Sequence, residues 1–452
     1  MRTMSWKAKL WTYTVCIFFT SASYTMCIPF LPVYLLELGT PEDEIELWSA
    51  LVFSSCFLIA GVMAPVWGKI SDTHGKKSMA LRSSVLLALC YTLGGMVTAP
   101  IQLLGVRIMQ GFANGYLPVI MSIVSEDSPK EKLGTSMSFI QSAQLVGTVS
   151  GPLLGGSLAH IFGYRASFLI AGCFLTLVVF ITYLVPGTKK QAAAGTVAAG
   201  TAAAGAGTAA ATKVAGDATA AGAAGTAPAK TSIFADLKYC FTNPIVRELL
   251  IAGSIFSMVM LAIQPLLSLY VAQLIGGYED VAFFAGLACS LPPLIGAFTS
   301  PMWGYLGQRR GYYRVIAITT LGAGVFLAIQ SFAPSYLVLM IMSGLMGLFI
   351  VGFNPALCAS LTLATPDDFK GRAFGALTMA GQLGCMVGPF LGAAVASGLE
   401  MRYQFMVSGA VLIALSLYFC YRFYVLRQSK RHGALRALTE DSALGFEPDD
   451  KA

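Results

Sequence analysis

About twelve stretches of ~20 mostly apolar residues succeed one another along this 452-residue chain, each the length that crosses a lipid bilayer as a helix. A water-soluble core does not take up so much apolar sequence in segments of one length. The stretches lie near 9–34, 45–67, 79–98, 102–124, 134–160, 164–186, 246–274, 281–306, 313–332, 335–361, 371–397 and 402–425. Only 11% of the residues are charged, against about 25% in ordinary soluble proteins, and the mean hydropathy is +0.71. The first stretch is longer than the apolar core of a cleaved signal peptide and lacks a small-x-small exit. Backbone polar groups in lipid must be paired within the segment, so the expected fold is an all-α polytopic membrane protein.

Lys and Arg in short connections stay on the cytoplasmic side. Arg2, Lys7 and Lys9 precede the first span, Lys69, Lys76, Lys77 and Arg82 crowd the second connection, and Lys130 and Lys132 the fourth. Arg309, Arg310 and Arg314 follow span eight, and Lys370 and Arg372 follow span ten. Arg422, Arg427, Lys430 and Arg431 lie in the tail. The alternate connections (LELGTPEDEIE, TAPIQ, HIFGYR, GGYED, FAPS and SGLEMR) hold two Arg between them. Both termini are therefore expected in the cytoplasm. Anchoring of basic flanks at the bilayer accounts for the net charge of +7, and no nucleic-acid partner is required. Ten cysteines lie in or beside spans without CxxC or Cys/His spacing, and His74, His160 and His432 are scattered. Neither a metal site nor disulfides are expected.

Residues 188–230 differ in kind. They score as apolar, yet the run is Ala, Gly and Thr with almost no Leu, Ile or Phe. Such a segment buries little surface and reads as a flexible linker, a thirteenth span being the rival. The expected organisation is a six-helix bundle over 1–187, a linker over 188–243, a second six-helix bundle over 244–427 and a tail over 428–452.

The two bundles are repeats. A shift of 237 residues lays 107–134 over 344–371, bringing Gly115 onto Gly352, Pro118 onto Pro355, Pro129 onto Pro366 and Gly134 onto Gly371. The same shift carries Gly147 onto Gly384, Gly151–Pro152 onto Gly388–Pro389, Gly155 onto Gly392, Arg165 onto Arg402 and Phe168 onto Phe405. One ungapped register over three spans implies two six-helix halves related by an axis along the membrane normal.

Three short motifs now carry a family resemblance. GKISDTHGKK (68–77) resembles the loop signature G-x-x-x-D-R-x-G-R-R/K of the major facilitator superfamily through Gly68, Asp72, Gly75, Lys76 and Lys77, with Thr73 in the Arg position. RIMQG (107–111) resembles the R-x-x-Q-G signature of drug exporters, through Arg107, Gln110 and Gly111. GTVSGPLLGG (147–156) fits the antiporter signature G-x-x-x-G-P-x-x-G-G at every fixed position, through Gly147, Gly151, Pro152, Gly155 and Gly156. Together with LPVY after span one, these make the chain similar to bacterial twelve-span drug:proton antiporters of the MdtG-like group.

The resemblance implies a multi-pass protein of the bacterial inner membrane, working as a monomer that exchanges a small-molecule substrate for protons by alternating access. Asp72 with Lys76 and Lys77 a turn away can latch one conformation and release another; otherwise the lysines only set topology. Resemblance supplies Glu126, at the end of span four, as the partner acid. Arg107 lies within span four, where a cation faces a cavity or a partner, or else snorkels to the outer interface. Asn114 and Asn354 either line the central cavity or bond between helices. Tyr24, Phe30, Tyr34, Tyr116, Gln264 and Phe353 are the remaining cavity candidates, each open to a packing role. No carboxylate lies deep in a span, since Glu37 and Glu248 sit at span ends, so proton coupling would run through Asp72, Glu126 or Arg107.

Small residues supply close approach where lipid removes any hydrophobic attraction between helices. Gly147, Gly151 and Gly155 recur every fourth residue of span five, as do Gly384, Gly388 and Gly392 with Pro389 in span eleven. The family implies that each stripe packs against the opposite half. No Walker loop or enzyme constellation is present, so neither ATP nor a cofactor is expected; the resemblance implies export of drugs or toxic amphipathic metabolites. Uptake or facilitated passage of a nutrient or metabolite is the alternative, and a sensor or scaffold on the same fold is a third.

Overall fold

The computed structural model describes residues 4–129, 132–186, 239–278, 280–366 and 369–431. The side chains of residues 65, 68, 69, 71–74, 133, 134, 371 and 426–431 are also outside the description. The linker over 188–230 and the tail beyond residue 431 are therefore outside it.

Helix occupies every predicted apolar stretch. Among the described residues, ten helices or near-continuous helix pairs are long and apolar enough to cross a membrane. Trp6–Met26 and Leu31–Glu37, bent by 53°, make an eleventh. The helix at the third stretch, Lys76–Gly94, has 19 residues and is less apolar because Lys76, Lys77 and Arg82 crowd its first turns. The last helix, Met401–Arg431, runs past the expected start of the tail. Pro100 and Pro244 open their helices in the first turn, where a missing N–H removes no bond. Asn243 caps span seven by accepting from the amides of Ile245 and Val246.

The repeat is visible in the packing. Span one packs on five, two on four and three on six; in the second half, seven packs on eleven, eight on ten and nine on twelve. One buried core is built mainly from residues 10–185, and a second from residues 240–419. Span five on eight, and two on eleven, join the halves. Gly75, at φ 88°, turns the chain directly from span two into span three, a left-handed conformation that glycine adopts freely.

Spans four and ten are both broken. Span four consists of Pro100–Ala113 and Tyr116–Asp127, separated by Asn114 and Gly115. Span ten consists of Tyr336–Ile350 and Phe353–Ala364, separated by Val351 and Gly352. The breaks fall on the glycines that the 237-residue shift superposes, each followed three residues later by proline. Pro118 has no amide hydrogen to return to the Asn114 carbonyl, so one helical bond is missing at this point.

Candidate translocation site

Arg107 lies in the first segment of span four, with 6% of its surface exposed. It does not snorkel. Its Nη1 donates to Gln110 Oε1 at 2.8 Å, Gln110 Nε2 donates to the Tyr91 hydroxyl at 2.9 Å, and that hydroxyl donates to the Tyr24 carbonyl at 3.3 Å. The guanidinium faces the Phe53 ring with its carbon 6.0 Å from the centroid. Nε and Nη2 are buried without a protein acceptor. Gly111 lets this polar row sit tight against span two, since a Cβ there would lie 2.6 Å from Ile59 Cβ and 2.7 Å from the Cys56 carbonyl oxygen. The motif R-x-x-Q-G thus builds a buried cation with spare donors, joined through Gln110 to spans three and one.

The glycine stripes pack differently from the sequence expectation. Gly147, Gly151 and Gly155 face span one of their own half: a Cβ at Gly147 would lie 2.6 Å from the Phe18 carbonyl oxygen, and one at Gly151 2.6 Å from that of Ala22. At Gly155 it would run into the Met26 carbonyl. Likewise Gly384, Gly388 and Gly392 face Ser254, Met258 and Ala262 of span seven. Only the neighbouring face reaches the other half: Gly156 abuts Ala282 and Phe283 of span eight, and the Pro152 carbonyl meets Gly286. A helix advances about 100° per residue, so Gly155 and Gly156 address two different helices.

Leu at Gly151 would drive a branched side chain into backbone atoms of span one. Overpacking of this kind costs about 1–3 kcal/mol and sometimes more. Gly151→Leu is expected to insert, to melt several degrees below wild type and to lose transport. A thermal melt of the purified protein beside a transport assay checks this; wild-type values in both contradict it.

At the lysine-rich end, Lys76 pairs with Glu126, and Lys77 Nζ donates to the Tyr183 carbonyl at 3.1 Å. The expected partner acid is therefore engaged by this loop. Gly68 and Asp72, the rest of the expected latch, have side chains outside the described residues. Asp127 was not singled out by its pattern, yet its carboxylate pairs with Lys9 of span one at 3.0 Å, both side chains 11% exposed. Its signal was modest: a second acid beside Glu126 and a lysine at the start of the first apolar stretch. Glu248, at the same end of the second half, is buried against Arg422 at 2.9 Å.

The aromatic candidates divide. Phe30, Tyr34 and Tyr116 are packed in the first core and Phe353 in the second. Tyr34 donates to the Gly94 carbonyl at 3.0 Å, the Tyr116 hydroxyl bonds to Thr182 Oγ1 at 2.8 Å, and Phe353 stacks on Phe256 at 3.9 Å. Satisfied hydroxyls and full ring contact hold them in place. Tyr24 is only half-buried, and its carbonyl accepts from the Tyr91 hydroxyl that Gln110 binds. Gln264 and Asn354 are half-buried on spans seven and ten. Asn114 is exposed, and its Oδ1 accepts from the Gly115 amide at 2.8 Å, serving the break in span four.

The halves meet tightly at the end opposite the lysines. Beside the contact of Gly156 with span eight, His160 Nδ1 stands 3.0 Å from Asp280 Oδ1, and its ring lies 6.5 Å from that of Phe283. Val33 joins Ala272, Val281 and Ala285 in a small buried cluster across the same joint.

A profile of the Major Facilitator Superfamily matches residues 13–288 and 281–445. A protein of Lactococcus lactis subsp. lactis described as a multi-drug resistance efflux pump PmrA homolog is 30% identical over 404 residues, covering 89% of this chain and 91% of that one. The multidrug resistance protein MdtG of Proteus mirabilis is 28% identical over 424 residues, covering 92% and 96%. Among solved structures, the nucleoside transporter NupG superposes with a TM-score of 0.69 at 15% identity, over 93% of this chain and 99% of that one. A bacterial homolog of the human lysosomal transporter Spinster, in an inward-facing and unoccupied conformation, superposes with a TM-score of 0.70 at 13% identity, over 93% and 97%.

Proposed function

Because the chain belongs to the Major Facilitator Superfamily, we propose that it is a secondary active exporter of small amphipathic molecules, driven by proton antiport across a bacterial inner membrane. The observation that carries this reading is the seat of the antiporter signature: Pro152 and Gly156 lie in the joint with span eight, while Gly147, Gly151 and Gly155 fix span five to span one. A contact made at one end of two rigid halves can open as the other end closes.

The lysine-rich end is the cytoplasmic one on the positive-inside rule. The packed end then faces outward, so substrate enters from the cytoplasm or the inner leaflet. Arg107, with Gln110, is the polar group that substrate and protons answer to in the first half. Among the described residues, two acids near this end of that half are held in pairs, Glu126 by Lys76 and Asp127 by Lys9. These two pairs tie span four to spans three and one, and in this reading proton coupling runs through Asp72, Glu126 or Arg107. The multidrug relatives support export of amphipathic compounds.

In inverted vesicles with an acid interior, the chain should accumulate ethidium, and nigericin should abolish the accumulation. Accumulation that survives nigericin contradicts proton coupling. A chain that moves no dye, but carries a nutrient or metabolite inward in upright vesicles, contradicts the export reading.

A further inference from the structure

Arg82 belongs to none of the three motifs, yet it sits on the break in span four. Its Nη1 donates to the Phe112 carbonyl and its Nη2 to the Asn114 carbonyl, each at 3.3 Å; Nη2 also donates to Ser83 Oγ at 2.8 Å. Phe112 is in the last turn of Pro100–Ala113 and Asn114 is the residue that caps it, at a helix end that carries partial negative charge and lacks intrahelical donors. The guanidinium stands over the Trp67 ring of span two, its carbon 3.5 Å from the ring centroid. Arg82 Nε is buried with no acceptor, so one donor is in reserve. At Gly115 the backbone has φ 120°, and a Cβ there would lie 3.9 Å from Arg82 Nη2.

The second half shows that such a break does not require a cation. The 237-residue shift carries Arg82 onto Thr319. Thr319 stands against Gly352, its methyl 2.6 Å from where a Cβ would be. The freed Leu348 carbonyl is taken up instead by Trp303 Nε1 at 2.7 Å and Thr299 Oγ1 at 3.0 Å, both from span eight. A charge inside a span needs a reason beyond capping, and the two segments of span four supply one. Pro100–Ala113, which carries Arg107, packs on both span two and span three, whereas Tyr116–Asp127 leaves span two, stays on span three and is tied there again by Lys76 and Glu126.

We propose that Arg82 is a positioning residue for transport: it clasps the joint between the two segments of span four and keeps the freed carbonyls paired while the segments turn against one another about Asn114–Gly115. Five donors in one plane can pass from one carbonyl to the next without leaving backbone bare in lipid, and Trp67 supports the plane as it slides. A lysine keeps the charge but neither the plane nor the number of donors. This role concerns the speed of the conformational change, whichever solute is carried and in whichever direction.

The test uses full-length Arg82→Gln and Arg82→Lys in nanodiscs and proteoliposomes. Ethidium affinity should stay within about twofold of wild type, while the saturated transport rate of Arg82→Gln falls at least tenfold with KM unchanged. Arg82→Lys should recover part of that rate. A wild-type saturated rate in Arg82→Gln, or a loss confined to KM, overturns the proposal. If Arg82→Gln does not fold, Arg82→Lys decides alone, because a wild-type rate there overturns it equally. Amide hydrogen exchange across residues 112–119 needs no substrate: Arg82→Lys should exchange faster there, and unchanged exchange overturns the proposal.

Discussion

Replacing Gly156 by Leu is expected to abolish transport while leaving both halves folded. The contact is reciprocal: a Cβ on Gly156 would run into the Ala282 carbonyl and lie 3.1 Å from Phe283 Cα, and one on Gly286 would meet the Pro152 carbonyl and lie 3.3 Å from Gly156 Cα. Two backbones touch here, so no flexible side chain can yield, and the packed end is wedged open. The core of each half is untouched, because Gly156 points away from span one. Gly156→Leu should therefore melt near wild type but transport at less than about a hundredth of its rate. Gly151→Leu, by contrast, loses stability as well. A Gly156→Leu protein that transports normally, or that unfolds as readily as Gly151→Leu, contradicts the assignment of the two faces.

Arg107→Gln should separate activity from stability in the opposite sense. A buried guanidinium whose Nε and Nη2 have no acceptor lowers the stability of the state that holds it. Glutamine removes the charge and retains a polar group beside Gln110. The variant is expected to melt at or above the wild-type temperature and to lose about a hundredfold in saturated transport, equivalent to about 2.7 kcal/mol of barrier. Stability held in reserve for function is released when the functional group is removed. A parallel fall in melting temperature and rate would mean that Arg107 serves packing alone.

Much of this arrangement is legible before any coordinates. Segment length and the near absence of charge dictate helices across a bilayer. The ungapped repeat superposes Gly115 and Pro118 on Gly352 and Pro355 and so pairs spans four and ten, but the breaks at these positions appear only in the structure. What the stripes touch was not legible. Glycine every fourth residue defines a smooth face but names no partner, and Gly156, one position on, is the residue that crosses to the other half. Tyr34, Tyr116, Phe30 and Phe353 are equally at home in a cavity and in a core, and only packing decides between them. Lys9 and Asp127 are 118 residues apart, and Arg82 meets the Asn114 carbonyl over 32. Pairing at that separation follows from tertiary structure.

Distances across both ends of the joint between spans five and eight test the central claim most directly. Spin labels at Ile161 and Tyr278, exposed by 66% and 45%, report the packed end. Labels at the exposed Lys132 and Gln308 report the lysine-rich end. Replacing Cys173 and Cys420, the two exposed native cysteines, by serine clears the background. With ethidium and a proton gradient in proteoliposomes, the first distance should lengthen as the second shortens, in the same population of molecules. Two distances that change together, or that do not respond to substrate and gradient, would contradict alternating access about this joint.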